Sequence, residues 1–338
     1  MSQNGSQRVQ VLAPGRVNLI GDHTDYTGGL VFPMAIDRWT EITGVVSDRI
    51  RLRSDVETEP VDLAPDAGGE IDSLPAWGRF VAAVAAEVDG AVGIDGEVTT
   101  TIPVGAGLSS SAALEIAVAL AVGFDGTPLE LAQLAQRAEH RATGVPSGIM
   151  DQLCIAAATK GHATMIDCHT CDVTQVPVPD EVAIAVRFVA HRTLEGSGYA
   201  DRVHECARAE ELVGPLRLAS LDGVATIGDP TIERRARHVV TENQRVRDFA
   251  VALANGDYAV AGALMAASHR SLRDDYAVST TAMDAAVDEL LANPDVFGAR
   301  MTGGGFGGCV VALCRPEAKI DGWRVVPVNG AERRPAAG

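Results

Sequence analysis

Apolar positions recur with two different periods along this chain, and the change of period divides it. The first part carries short strand-like runs: VQVL at 9–12, the β-branched EVTTTIPV at 97–104, and apolar runs at 163–166 and 182–190. Helical patterns lie between them. GAGLSSSAALEIAVALAVG is a glycine loop whose serine run opens a helix from about Ala112. Pro128 starts the next helix, with Leu131, Leu134, Ala135 and Ala138 on one face and Gly144 as its stop.

Between Tyr199 and Asn293 the helical period dominates. Ile232, Ala236, Val239, Val240, Asn243, Val246, Phe249 and Leu253 form a stripe at spacings of three and four, closed by Asn255-Gly256. Asp257 is placed to cap a further helix containing SHRSLRDDY, and another spans about 280–292. GGGFGG at 303–308 then separates two apolar segments, the second being the strand-like CVVALC. From Asn329 the chain turns polar, with alanine and glycine, and reads as a frayed tail. No internal repeat or long linker breaks this order. The pattern predicts an α+β fold in two lobes and not an even βαβα alternation.

Composition narrows what such a fold does. A chain of 338 residues is long enough for two domains with a real core, and 46% hydrophobic against 22% charged side chains is globular. The net charge of −17 argues against a general nucleic-acid surface, so an anionic substrate needs a local basic or amide-rich site. No window reaches the roughly 20 apolar residues of a membrane span, and the start lacks the apolar core of a secretory signal. A cytoplasmic chain without a membrane partner is expected. The six cysteines, at 154, 168, 171, 206, 309 and 314, are too sparse for a disulfide scaffold and read as reduced thiols. Cys168 and Cys171 have metal-ligand spacing, but no second pair completes a structural zinc site.

Three polar stretches carry candidate chemistry. GRVNLIGDHTDYTGG at 15–29 gathers Arg16, Asp22, His23 and Asp25 just after a strand, as a wet turn or a pocket for a hydroxyl-rich ligand would. GAGLSSSA can present successive backbone N–H groups at a helix N-terminus to a phosphate chain, and its serines can add hydrogen bonds or ligate magnesium. A tight turn with a serine cap is the plainer alternative, although three serines exceed what one cap needs. The P-loop pattern GxxxxGK[ST] is absent and the only lysines are Lys160 and Lys319, so arginine, amides and metal must neutralise phosphate. GGGFGG by itself fits a bulged hairpin or a close helix contact equally well.

The ordered trio APGRVNLIGDHTDYTGG (13–29), PVGAGLSSSAALE (103–115) and MTGGGFGGC (301–309) resembles the three motifs of the GHMP small-molecule kinases. HTDY and SGIMDQ (147–152) resemble the galactokinase branch, and the likeness extends through ARHVVTEN and SHRSLRDDY from about residue 9 to 315. The resemblance implies an N-terminal domain over 1–175, a C-terminal domain over 176–328, a flexible tail over 329–338 and a cleft between the domains. It implies Arg16 and Asp151 as the catalytic pair, with Asp22, His23, Asp25, Gly148 and Tyr199 lining a galactose pocket. ATP would lie on Gly105, Gly107, Leu108, Ser109, Ser110, Ser111 and Ala112 with Trp77 beside the adenine, and Ser111 and Glu139 would hold magnesium. The expectation is a monomeric sugar kinase. Alternatives are a GHMP kinase for arabinose, N-acetylgalactosamine or a uronic acid, or a non-catalytic galactose and ATP sensor. Asp22 where the branch usually has glutamate, and Thr27 where it has asparagine, bear on the sugar preference.

Overall fold

The computed structural model describes residues 7–66, 71–191 and 198–334. The run VQVL belongs to a long first strand, β1 (Arg8–Asn18), which pairs antiparallel with β3 (Pro33–Ser47) after the short β2 (Leu30–Val31). The connection between β1 and β2 holds the charged motif, including a 3₁₀ turn over Asp25–Thr27. β4 (Ile50–Ser54), β5 (Val61–Leu63), helix α1 (Ala76–Glu87) and β6 (Gly93–Thr100) follow. Then come α2 (Ser110–Ala121), α3 (Pro128–Thr143) and α4 (Met150–Ala157). Alanine-rich α2 packs on β1 and β3, and its small buried side chains allow close approach to the sheet.

β7 (His162–Asp167) and β8 (Asp172–Pro177) form a hairpin that joins β2 in a three-stranded sheet. Cys168 and Cys171 sit in its turn, where the Cys171 N–H donates to the Asp167 carbonyl, so the CxxC spacing follows the turn. The second lobe starts with β9 (Ala183–Ala190) and continues through α5 (Tyr199–Val213), α6 (Leu221–Val224), α7 (Pro230–Ala254), α8 (Tyr258–Asp274) and α9 (Thr281–Leu291). It ends in β10 (Val296–Met301), β11 (Gly308–Cys314) and β12 (Trp323–Val325), ordered β10-β11-β9-β12. Local signals match these boundaries: Thr127 and Glu130 make a reciprocal capping box before α3, and the Asp257 carboxylate accepts from the Val260 N–H. On α7 the stripe at Ala236, Val239, Asn243, Val246, Phe249 and Leu253 is buried. All six cysteines are free thiols.

Two expectations need correction. The strand expected over 97–104 is β6, which runs from Gly93 to Thr100 and leaves 101–109 as loop. Gly93 and Gly96 hid its start: a Cβ on Gly96 would lie 2.3 Å from the Thr43 carbonyl, so glycine is required where the pattern calls for a β-branched residue. The tail is also not wholly frayed. Residues Glu332–Arg334 form β13, which pairs with β1 at the edge of the six-stranded sheet β13-β1-β3-β6-β4-β5, so the chain returns to its first lobe. The last four residues of that tail lie outside the described residues.

The two lobes share packing as well as chain. Phe249 of α7 meets Phe32 in an edge-to-face contact at 5.3 Å, both rings fully buried. Phe249→Ala removes a ring that the alternating lobes cannot collapse to replace. It should lower stability by about 3–5 kcal/mol, read as a fall in the midpoint of urea or thermal unfolding.

Candidate active site

One strand carries the centre of the site. Gly15 in β1 lets the backbone approach the serine loop, since a Cβ there would stand 2.8 Å from the Leu108 carbonyl. The next residue, Arg16, donates its own N–H to that carbonyl at 3.1 Å and points its side chain toward α4. Its Nε and Nη2 donate to Asp151 Oδ1 and Oδ2, each at 2.7 Å, and its Nη1 donates to the Gly107 carbonyl at 2.8 Å. Ser109 Oγ donates to Asp151 Oδ2 at 2.5 Å. Asp151 therefore sits in the first turn of α4 as the receiver of a guanidinium fork, not as a capping group. Burial opposes the charge of Arg16, yet Asp151 and then Asp22 outweigh it and raise its pKa.

Around it a cleft of about 240 Å³ is lined by Arg16, Asp22, His23, Asp25, Gly148, Asp151 and Tyr199 on one side and by Gly105, Gly107 and Ser109–Ser111 on the other. Glu139, Ser147, Gly303 and Gly304 also line it. Ser109 takes a left-handed backbone (φ 63°) at the entry to α2, and His23 does so at φ 65° in the charged motif, two strained positions at the site. Gly148 is required by closeness: a Cβ there would be 2.1 Å from Asp25 Oδ2. The side chains of Leu108 and Ala112, residues expected at the nucleotide, are buried in the core beneath the loop. Their part is to hold the loop.

A second, more apolar pocket of about 190 Å³ shares Ser110 and Ser111 with the cleft. It is lined by Trp77, Phe80, Val98, Leu114 and the exposed Val56 and Val104. Trp77 donates its Nε1–H to the Glu59 carbonyl at 2.9 Å, which orients the ring. The two pockets make a trough, polar at one end and flat and apolar at the other.

Glu139, on α3, is buried at the polar end. Ser147 Oγ and Gln152 Nε2 donate to its Oε2 at 2.5 and 3.0 Å, and Ser111 Oγ donates to Oε1 at 3.3 Å. Burial pushes its pKa up, against those hydrogen bonds. Ser111 and Glu139 offer oxygen donors only, a hydroxyl and one carboxylate, which suits a magnesium ion that keeps water and phosphate oxygens as its other ligands. These residues fit the metal that the resemblance implies.

The sugar-side acids have support the sequence did not reveal. Asp22 is 1% exposed; its Oδ1 accepts from the Gly303 N–H at 3.0 Å and its Oδ2 lies 2.6 Å from Arg300 Nη2. Arg300 is itself fully buried, and Glu242 Oε1 lies 4.0 Å from its Nη2. His23 Nδ1 meets the Tyr26 hydroxyl at 3.0 Å, which meets the Tyr276 hydroxyl at 2.7 Å, backed by Cys206 Sγ at 2.9 Å. Glu242, His238 and Tyr276 lie in ARHVVTEN and SHRSLRDDY, segments that the resemblance covered without assigning roles. Arg300 stands three residues before the glycine motif. No periodicity marks any of them as site residues, because each acts from the back of the pocket.

Two lobes closed on a trough with a serine loop and an arginine–aspartate pair define the GHMP kinase class. Residues 77–160 match the GHMP kinases N terminal domain and residues 249–324 the GHMP kinases C terminal domain, while residues 2–44 match the galactokinase galactose-binding signature. Galactokinase from Bos taurus is 41% identical over 337 residues, covering 91% of this chain and 84% of that protein. Galactokinase from Chloroflexus aurantiacus is 41% identical over 347 residues, covering 94% and 86%. A crystal structure of Lactococcus lactis galactokinase complexed with galactose superposes with a TM-score of 0.90 at 30% identity, covering 96% and 95%. The chain belongs to the galactokinase family.

Asp25 yields a pH prediction. Burial, then the charges of Asp151 and Asp22, push its carboxyl up to about 7. Between about pH 4 and 7 the folded protein thus holds a proton at Asp25 that the unfolded chain has released, so this contribution to stability is present at pH 4 and lost by pH 7. Thermal melts of the ligand-free protein should show Asp25→Asn losing less stability than the unsubstituted chain as pH rises across that window.

Proposed function

We propose that this sugar kinase transfers the terminal phosphoryl group of ATP to the anomeric hydroxyl of galactose, giving galactose 1-phosphate and ADP. The observation that supports this most strongly is the bidentate Arg16–Asp151 pair, placed between the serine loop and the Asp22, His23 and Asp25 pocket. A sugar on the second surface and a triphosphate on the first would bring the hydroxyl in line with the phosphorus.

In this reading Asp22 and Asp25 accept hydrogen bonds from sugar hydroxyls, His23 donates or accepts, and Gly148 and Tyr199 shape the wall. Both oxygens of Asp151 accept from Arg16 and Oδ2 accepts from Ser109 as well, which leaves Oδ1 with the freer lone pair for the attacking hydroxyl. As the new P–O bond forms and the bond to the bridging oxygen of ADP breaks, the hydroxyl proton passes to Asp151. Arg16 orients that carboxylate and offers positive charge near the transferring oxygens. The amides of the loop and the start of α2 cradle the phosphates, and the Trp77 pocket takes the adenine. Magnesium, held by Ser111 and Glu139, would supply charge neutralisation at the phosphate oxygens.

The two carboxylates that face the sugar make a uronic acid the poorest of the alternative substrates, since like charges would meet in the pocket. The intact pair and serine loop speak for turnover over a sensing role. A panel of free sugars with ATP and magnesium tests the reading, and ADP release dependent on galactose above arabinose and N-acetylgalactosamine is expected. ATP binding without galactose-dependent ADP release would overturn it. Asp151→Asn should cut kcat by about a hundredfold to ten-thousandfold while ATP binding, followed by calorimetry, stays within a few-fold.

A further inference from the structure

Asp22 faces the cleft with its back to a buried ion network built by the other lobe. Arg300, from β10, reaches out of the second lobe to stand 2.6 Å from Asp22 Oδ2, and donates from Nη1 to the Asn18 carbonyl at 3.3 Å. Behind it Glu242 of α7 is fixed by the Gly21 N–H at 2.9 Å, by Ser268 Oγ at 2.5 Å and by Arg245 Nε at 2.6 Å. The guanidinium is thus held between two carboxylates. It does not line the cleft. Its Nε and Nη2, both buried, have no hydrogen-bond partner among the described residues, and neither has Asp22 Oδ2, so the contact with Asp22 is one of close opposite charge, with a burial cost that an apolar side chain of similar length would not carry.

We propose that Arg300 is a positioning residue for sugar recognition, holding the Asp22 carboxylate in place from behind the pocket. The inference rests on the reading of Asp22 as a sugar contact. The charges around Asp22 leave this task to few groups. Arg16 of β1 is the other cation that reaches it, and Arg16 is already committed to Asp151. Asp25, in the same loop, adds negative charge. His238 of α7 places Nε2 at 3.1 Å from the Asp22 carbonyl, and His269 of α8 lies near Arg300, but burial presses both rings down to about 4 and leaves them neutral. Glu242 is held down to about 2, chiefly by the charges of Arg245 and Arg300, in spite of its burial, so it remains an anion. Without Arg300, Asp22 and Glu242 would face each other with no cation between them. The sugar-binding carboxylate would take up a proton or turn away. Through this contact the glycine-motif strand of one lobe sets the sugar affinity of the charged motif of the other.

A double-mutant cycle on the full chain tests this. Arg300→Met should raise the galactose KM at least tenfold while the ATP KM stays within twofold, and Arg300→Lys, which keeps the charge, should recover a large part of the loss. Asp22→Asn should raise the galactose KM as well, and adding Arg300→Met to it should change that KM by less than threefold. Equal rises in the galactose and ATP KM values, or losses that multiply in the double variant, would overturn the proposal and leave Arg300 as a structural residue. Should Arg300→Met not fold, Arg300→Gln with and without Asp22→Asn carries the same comparison, and an unchanged galactose KM in Arg300→Gln would overturn it. The unsubstituted enzyme is assayed in the same series. Absence of its galactose turnover would defeat the assigned reaction, whereas an active enzyme with multiplying losses would defeat only the role of Arg300.

Discussion

Three carboxylates, Asp22, Asp25 and Asp151, converge on one half-dry cleft, and the rest of the site depends on how their charge is carried. In water such crowding costs little. Under a protein wall each uncompensated carboxylate tends to take up a proton, as the Asp25 pKa of about 7 shows. The chain has two lysines, neither of them in the cleft, so guanidinium groups do the work. Arg16 pairs with Asp151 and Arg300 with Asp22, whereas Asp25 forms no ion pair with an arginine among the described residues, and burial pushes the titration of both Asp22 and Asp25 up. The planar fork suits this role because it fixes a carboxylate in direction as well as in charge.

These pairs organise the molecule more than they stabilise it. Two ions taken out of water recover their desolvation cost only with good geometry, and a buried pair is weak support for stability. What they do is fix register between segments far apart in the chain: β1 with α4 through Arg16 and Asp151, and the charged motif with β10 through Asp22 and Arg300. The hydroxyl of Thr302 adds a contact, accepting from the Asn18 N–H at 3.0 Å and donating to the Asn18 carbonyl at 2.9 Å. Stability comes from elsewhere, in the packing of α2 on β1 and β3, and of Val246, Phe249 and Leu253 of α7 in the core shared with the first lobe. The division suits a phosphoryl-transfer enzyme, whose catalysis is largely placement.

Much of this was legible beforehand, for physical reasons that differ by element. The helices over 128–143 and 230–254 announced themselves because a buried face at period 3.6 and a local cap are both written in adjacent residues. The segments that hold Arg16, Asp151 and the serine loop were legible through long motifs in a fixed order. β6 began earlier than expected, because Gly93 and Gly96 replace side chains where backbones close in. β13 looked like a frayed tail, because three exposed polar residues carry no pattern and are held only by pairing with β1.

By itself, then, the sequence determined the α+β class, most helix boundaries and the kinds of group present at the site: carboxylates, one arginine and a hydroxyl-rich loop. Only the tertiary structure decided which charge answers which. Arg300, Glu242, His238 and Tyr276 stand tens to hundreds of residues from the motif they support, and nothing local distinguishes them from ordinary helix or strand residues. Pairing in a low-dielectric interior acts across ångströms of space, whereas hydrophobic periodicity and capping act along the chain, so the second kind of information can be read in order and the first appears when the lobes meet.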